Sequence, residues 1–368
     1  MPVVCIDCSP LLVQSAGVKT YLFHWLNALR AANPEAIRAF LEPGPPDLNH
    51  EGGFRLHPRQ LRTLFALNAL PSLFCSLAAP RCDIFHASNQ LRSIPRRRLL
   101  TATLHDLTAW VVPDCHMPET VIEEKAFAGR VLKRADGLIA DSENSKRDAI
   151  AVLDIPPDRI RVIYPGVPRT YASVPSESVA RVANAFALHR PYFLSVGTIE
   201  PRKNIDTLLT AWESLPPSFR SEYELILTGM PGWRSDLTIA RLRQANSAGH
   251  GIRYLGYVPE PDMPPLTAGA TAFLYPSLYE GFGLPVVQAM LAGCPVVTSN
   301  VSSLPEITGD ASLLIDPRSA AELSAAIRCL GESTGLREQL KARGIEQAKR
   351  FTWEKTAAES LEYFREIA

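Results

Sequence analysis

Short apolar runs separated by amphipathic helical stretches recur along this chain in two series, and that alternation is what most restricts its fold. Runs near 2–8, 36–41, 82–87, 99–105, 137–141 and 160–164 read as strands, with helices near 17–32, 121–135 and 145–153. Such an order builds a parallel sheet wound by crossover helices. The pattern fades between 169 and 190, in P-R-T-Y-A-S-V-P-S-E-S and a short polar helical stretch, which reads as a linker. It restarts with Y-F-L-S-V-G-T, Y-E-L-I-L-T-G, I-R-Y-L-G-Y-V, T-A-F-L-Y-P-S, P-V-V-T-S-N and S-L-L-I-D-P. The expected architecture is α/β: two Rossmann-like, doubly wound domains, 1–170 and 190–351, facing across a cleft. The tail carries Trp353, Ala357, Leu361 and Phe364 on one helical stripe with no strand after it. A helix over 352–368 is therefore expected to pack back across the hinge onto the first domain.

The 368 residues exceed what one core usually serves, which favours two domains. A formal net charge of zero carries no signal for nucleic acid, and no apolar run is long enough to span a bilayer. The opening M-P-V-V-C-I-D-C-S-P lacks the features of a signal peptide, so a cytoplasmic location is expected. The seven cysteines are scattered and odd in number, which favours reduced thiols. Cys5 and Cys8 have C-x-x-C spacing but fall in the first strand, where buried thiols are favoured over metal or redox chemistry.

The chemistry collects on strand-to-helix loops, at the carboxyl edge where open parallel sheets bind ligands. In Y-E-G-F-G-L-P-V-V-Q-A-M (279–290), Glu280 sits on a turn whose Gly281 and Gly283 permit unusual backbone angles, and Pro285 suits the first turn of a helix ending at Gly293. In S-V-G-T-I-E-P-R-K-N (195–204), Arg202 and Lys203 adjoin a helix start that itself favours anions, which suggests a diphosphate. A solvated basic turn stands level with that reading. Gly17, in Q-S-A-G-V-K-T-Y, could let backbone N–H groups approach a phosphate, a weak signal alone. His105 and Asp106 end an apolar strand. There a histidine could donate to a leaving phosphate or a sugar hydroxyl, against a structural role at about half that weight. His86, at a similar strand end, ranks second as a wall of an acceptor pocket. No D-x-D occurs to hold a metal on phosphates. A carboxylate against a diphosphate would repel it, so Glu280 is better employed on neutral sugar hydroxyls, apart from the phosphates.

Taken in order, A-G-V-K-T-Y, D-I-F-H-A-S, T-L-H-D-L, I-A-D-S-E-N-S-K-R-D, V-I-Y-P-G-V, S-V-G-T-I-E-P-R-K-N, L-G-Y-V, Y-E-G-F-G-L-P, S-S-L-P-E-I-T-G-D-A and F-T-W-E-K resemble the group 1 glycosyltransferases. These are family 4 of the retaining glycosyltransferases, with the GT-B fold, and the likeness is nearest to bacterial mannosyltransferases of surface polysaccharide assembly. The resemblance implies transfer of a hexose, GDP-mannose being the first guess, to a hydroxyl of a glycan or lipid-linked glycan, with no essential metal or other cofactor. It implies that Arg202 and Lys203 hold the donor diphosphate, that Gly17 approaches it, and that His105 contacts the sugar and helps stabilise the transition state. Glu280 would hold sugar hydroxyls, with Gly281, Phe282, Gly283 and Leu284 on the same donor-binding loop. The backbone at Tyr257 and Val258 would meet the base, while His86 and Asp106 lie on the acceptor side. Hinge closure on the diphosphate would follow.

Two positions depart from the family pattern. Thr198 stands where many relatives have arginine. Gln288 stands where the second of two paired glutamates would accept hydrogen bonds from ribose, and it keeps an acceptor but loses the charge. Gln288 is also the only support for an alternative reading, a nucleotide-sugar-binding partner without transfer activity. A sugar-nucleotide epimerase is a weaker alternative still. Arg92 and Arg96, Arg97 and Arg98 could attract anionic lipid beside a lipid-linked acceptor, although a solvated basic loop is favoured about two to one.

Overall fold

The computed structural model of the chain describes residues 1–12, 17–42, 58–70, 72–95, 98–247 and 251–368. It divides into two compact units, one comprising Met1–Val111, Pro118–Gly166 and Phe351–Ala368, the other Val112–Met117 and Val167–Arg350.

The first unit holds β1 (Val4–Asp7), β2 (Ile37–Phe40), β3 (Ile84–Ala87), β4 (Leu99–Leu104), β5 (Gly137–Ala140) and β6 (Ile160–Val162). They form one parallel sheet in the order β2-β1-β3-β4-β5-β6, each strand lying within an expected apolar run. Helix α1 (Gly17–Ala32) buries Tyr21, Leu22, Trp25, Leu26 and Leu29, a stripe set by helical periodicity. Two helices, α2 (Pro58–Ala69) and α3 (Ser72–Ala78), fall where the sequence pattern assigns no element. Their leucines and phenylalanines lie on both faces, so they carry neither a clean period of 3.6 nor of 2.

The C-terminal helix, Trp353–Ile367, belongs to this first unit. It buries Trp353, Ala357, Leu361 and Phe364 in one cluster with Tyr21 and Trp25. The buried Trp25 Nε1 donates to Ser360 Oγ at 3.0 Å, which satisfies an indole N–H that would otherwise be stranded in the core. Gly166 in V-I-Y-P-G-V permits the approach of this returning chain, since a Cβ there would lie 2.1 Å from Trp353 N. Cys5 and Cys8 are both buried in the core of the same unit.

The second unit holds β7 (Tyr192–Val196), β8 (Glu224–Thr228), β9 (Ile252–Tyr254), β10 (Ala272–Tyr275), β11 (Val296–Ser299) and β12 (Ser312–Ile315), again all parallel. Their order is β12-β11-β10-β7-β8-β9. The stretch read as a linker folds as part of this unit. Tyr171 is buried, and a helix over Ser176–Ala185 buries Val182 and packs against Met263–Ala268. Apolar residues spaced for one helix face gave that short segment something to bury. Val112–Met117 also joins this unit, where Trp233 Nε1 donates to Cys115 O at 2.6 Å and stacks on the His116 ring.

Because Phe364 is fully buried against α1, Phe364→Ala should destabilise the first unit by about 3–5 kcal/mol. A urea titration should show the lowered midpoint in the transition that reports Trp25, and an unchanged midpoint would mean the helix adds nothing to that core.

Candidate functional site

Counted from β7, the second sheet runs 3-2-1-4-5-6, so its order reverses between β7 and β10. Loops leaving the carboxyl ends of two such neighbours diverge to opposite faces and leave a crevice where ligands bind. The loops that carry the candidate residues leave these two strands. Asn204, in the left-handed region at φ +58°, ties the first loop to its neighbours through Nδ2, which donates to Pro276 O at 3.0 Å and Pro317 O at 2.6 Å. Leu278 N donates to Arg202 O at 2.9 Å.

These ties bring the charges into one cluster. Glu280 accepts from Arg202 Nη1 and from Lys203 Nζ, both at 2.6 Å, one cation on each carboxylate oxygen. Arg202 also pairs with Glu200 at 2.7 Å, and its Nη1 donates to Tyr279 O at 2.9 Å. Lys203 donates to the Tyr275 hydroxyl and lies 4.7 Å from that ring's centre. The side chains of Glu280, Lys203 and Arg202 are only 9, 12 and 14% exposed. Burial would push the Glu280 carboxyl up, but Arg202 and Lys203 overcome it and hold the pKa down at about 2. For Lys203, burial and the neighbouring Arg202 outweigh the carboxylates and lower its pKa. Glu200 moves up, because its burial exceeds the pull of Arg202 and Lys203.

The sequence reading set the Glu280 carboxylate apart from Arg202 and Lys203, and the structure places it between them. Repulsion between a carboxylate and a diphosphate, the basis of that expectation, leaves out that buried cations themselves call for a carboxylate partner.

The loop behind Glu280 is fastened from the turn that precedes the helix Leu304–Thr308. Ser303 Oγ lies 3.0 Å from Glu280 O and 2.8 Å from Phe282 O, and Glu280 N donates to Ser302 Oγ at 3.0 Å. Gly281 and Phe282 are buried, and Gly283, at φ +108°, caps a helix from Leu284 to Leu291. Gln288 is half-buried on that helix. Tyr257 is half-buried and Val258 buried just past β9, next to Gly256, whose carbonyl accepts from Gly229 N and Thr228 Oγ1. Thr198 is half-buried on the β7 loop.

In the first unit the candidates separate. Leu104 pairs with Ala140 across β4 and β5, so His105 and Asp141 are the next positions on adjacent strands. His105 Nδ1 lies 2.7 Å from Asp141 Oδ2. Burial disfavours the imidazolium, but Asp141 outweighs it and raises the histidine pKa. Burial in turn raises the Asp141 pKa against the pull of His105. A proton held on Nδ1 by the carboxylate leaves Nε2 as the ring nitrogen not engaged by Asp141. Tyr21 meets the imidazole edge-on, ring centres 4.8 Å apart. Asp106 Oδ1 accepts from Thr108 N at 3.0 Å and Thr108 Oγ1 at 2.7 Å, which caps the turn that follows.

His86 is not a pocket wall. It is buried, with Nδ1 and Nε2 each 3.0 Å from a threonine hydroxyl, Thr101 and Thr103, and it packs beside Trp25 and Phe364. Burial, aided by His105, lowers its pKa to about 3, so it stays neutral in the core. Gly17 opens α1 at an exposed position, and a Cβ there would meet nothing within 4 Å. The residues before it, 13–16, lie outside the described set, as do Arg96 and Arg97. Sequence reasoning missed Asp141, Glu200 and Tyr275 as partners. Asp141 was legible as the residue after a strand and before the Ser142 helix cap, but nothing local tied it to His105.

Two family models match the chain: "Glycosyltransferase Family 4" over residues 15–171 and "Glycosyl transferases group 1" over 177–347. The O-antigen chain mannosyltransferase B of Escherichia coli is 36% identical over 337 residues, 91% of this chain and 84% of that protein. Among solved structures, sucrose-phosphate synthase from Thermosynechococcus elongatus superposes with a TM-score of 0.75 at 21% identity, over 100% of this chain and 99% of that one. Anabaena HepE in complex with UDP-glucose gives 0.71 at 19%, over 99 and 100%. These two likenesses concern the fold.

The Glu280 ion pairs carry a pH dependence of definite sign. Since the folded pKa of about 2 lies below the ordinary 4.5, the stabilisation is complete above 4.5 and is lost as pH falls toward 2. The stability advantage of the native chain over Glu280→Gln should therefore shrink by about 3 kcal/mol across that window. Urea titrations of the second unit's transition over a pH series read this directly. A pH-independent difference would show that the carboxylate is not engaged by the cations.

Proposed function

Because the chain belongs to the group 1, family 4 glycosyltransferases, enzymes of the GT-B fold, we propose that it transfers mannose from GDP-mannose, with retention, to a glycan or lipid-linked glycan hydroxyl in polysaccharide assembly. The observation that carries this reading is the Arg202–Glu280–Lys203 cluster at the switch point of the second sheet. The sugar assignment draws on the 36% identity to a mannosyltransferase of O-antigen chains.

In the proposed cycle the donor diphosphate takes Arg202 and Lys203 from Glu280, with further N–H groups supplied near Gly17 and along Gly281, Phe282, Gly283 and Leu284. The released carboxylate then accepts hydrogen bonds from the sugar hydroxyls. The acceptor oxygen bonds to the anomeric carbon as the bond to the diphosphate breaks, on the same face, and the acceptor proton passes to the departing phosphate. His105, its Nδ1 held by Asp141, presents Nε2 to the sugar and steadies the developing charge. The backbone at Tyr257 and Val258 meets the base, Gln288 the ribose, and Asp106 borders the acceptor. No resident metal or other cofactor enters this scheme.

A thermal-shift panel of nucleotide sugars tests the donor, with GDP-mannose expected to give the largest rise. The exchange of cations predicts an asymmetry in Glu280→Gln. GDP without sugar should bind about tenfold tighter, because the carboxylate no longer competes for the cations, while mannosyl transfer falls by about a hundredfold or more. If GDP bound no tighter, the cations would not pass from Glu280 to phosphate. His105→Ala should lower turnover by about 10²–10³ with little change in GDP affinity. Gln288→Glu should tighten donor binding by about 1–2 kcal/mol, through a charged rather than neutral acceptor. A loss there would mean that the amide is fitted to this site.

A further inference from the structure

Cys5 and Cys8, the C-x-x-C pair of the first strand, are not each other's partners. Cys5 lies in the core with Phe40 and Phe85, Cys8 in the core with Trp25 and Phe364, so the two thiols serve opposite faces of the sheet. The Cys8 thiol donates to Ile6 O at 3.5 Å. Cys5 instead shares a hydrogen bond with Cys82, a residue remote in sequence.

Cys82 stands just before β3, half-buried at the amino end of the sheet. There Asp83 N donates to Val3 O at 2.8 Å and Leu99 N to Asp83 O at 3.2 Å, which holds the approach to β3 between β1 and β4. That register sets Arg98, the residue before β4, against Cys82. Arg98 Nη1 donates to Cys82 Sγ at 3.4 Å and to Pro80 O at 2.8 Å. The adjoining Asp83 directs its carboxylate to Val3 N at 2.8 Å. One sulfur thus receives both the Cys5 thiol proton and an N–H of a guanidinium that stays charged at every physiological pH. The hydrogen bond from Cys5, with Arg98 behind it, outweighs burial and holds the Cys82 thiol below its ordinary pKa, while the same bond and burial push Cys5 up. The proton stays on the buried member, and negative charge collects on the member that solvent reaches. Burial alone does the opposite to Cys75, whose thiol it pushes up to about 12.

We infer that Cys82 and Cys5 form a peroxide-reactive dithiol, with Cys82 as the attacking sulfur and Cys5 as the resolving one. A half-buried thiolate beside a fixed cation, with a second thiol in contact, is the setting in which cysteine oxidation is fast and ends in a disulfide. The Cys82 thiolate attacks one oxygen of hydrogen peroxide. An S–O bond forms as the O–O bond breaks, and the departing hydroxide takes up the proton that Cys82 gave to solvent. Cys5 sulfur then bonds to the sulfenic sulfur, and its proton leaves with the hydroxyl as a second water. Two thiols are oxidised to one disulfide, and one peroxide is reduced to two waters. The bridge would join β1 to the entry of β3 and close α1, β2, α2 and α3 into one covalent loop. It lies at the amino end of the sheet, whereas His105 lies beyond the carboxyl end of β4, so it modifies the fold of the first unit and is no step of sugar transfer.

Peptide mapping of the full chain after about one equivalent of hydrogen peroxide tests it, with the remaining thiols alkylated. The product should be lighter by two hydrogens, with the Cys5 and Cys82 peptides joined, and dithiothreitol should reverse the change. Cys5→Ala should leave Cys82 as a sulfenic acid that dimedone captures, and Cys82→Ala should give no bridge. Arg98→Gln should slow alkylation of Cys82 by iodoacetamide at about pH 7 at least threefold. Circular dichroism and the alkylation rate of the exposed Cys329 should stay unchanged in that variant, which separates a lost charge from a lost fold. A bridge between Cys5 and Cys8 would overturn the proposal, as would oxidation of Cys82 to sulfinic acid with Cys5 left as a thiol. So would alkylation of native Cys82 no faster than that of Cys329.

Discussion

Two cations and two carboxylates, Arg202 and Lys203 against Glu280 and Glu200, nearly excluded from water on the loops that leave β7 and β10, impose the tightest condition on the second unit. Removing a charge from water costs several kcal/mol, and that cost is recovered only where partners are held at contact distance. The loops leaving β7 and β10 consequently have little freedom. Asn204 fastens one to the other, Ser302 and Ser303 fix the backbone of Glu280, and Tyr275 receives the ammonium of Lys203. In the proposed cycle a diphosphate takes both cations over from Glu280, and the same residue would serve as their partner without donor and as a hydrogen-bond acceptor with it.

The first unit solves a similar problem with fewer charges. Asp7, at the end of β1, is fully buried and is satisfied by Ser9 N and by the backbone and hydroxyl of Ser88, which stitches together the ends of β1 and β3. Burial still raises its pKa despite these bonds. Farther along the same sheet, beyond β3, His105 and Asp141 share one hydrogen bond across β4 and β5. Carboxylates at the ends of parallel strands thus organise both sheets, in one unit against cations and in the other against hydroxyls, amides and an imidazole.

Much of the architecture was legible because parallel strands buried on both faces write themselves as short apolar runs. All twelve strands among the described residues fall inside such runs. What stayed hidden was whatever depends on partners remote in sequence. Arg202 and Glu280 are 78 positions apart, and no local pattern states that their loops leave neighbouring strands. Helices α2 and α3 were missed because their outward faces are as apolar as their inward ones. The rule that a helix shows one apolar stripe fails where exposed positions are apolar too, as Phe65, Phe74 and Leu77 are here.

His86 and His105 show why the candidate site was only half readable. Both stand near the carboxyl end of an apolar strand, in F-H-A and L-H-D, and the local sequence gives each the same claim to a ligand. The difference is one of register. His86 is still within β3, aligned with Ile6 on one side and Thr101 on the other, so its ring is carried into the core and both nitrogens find threonine hydroxyls. His105 is one residue beyond β4, where the ladder has ended and Asp141 has likewise just left β5. A carboxylate on one nitrogen favours the protonated ring and fixes its direction, while two threonines in a dry core hold the other neutral and occupied. Whether a strand ends one residue before or one residue after its histidine therefore decides between a neutral ring with both nitrogens bonded and a ring directed by a carboxylate, and that is a property of the neighbouring strand as much as of its own.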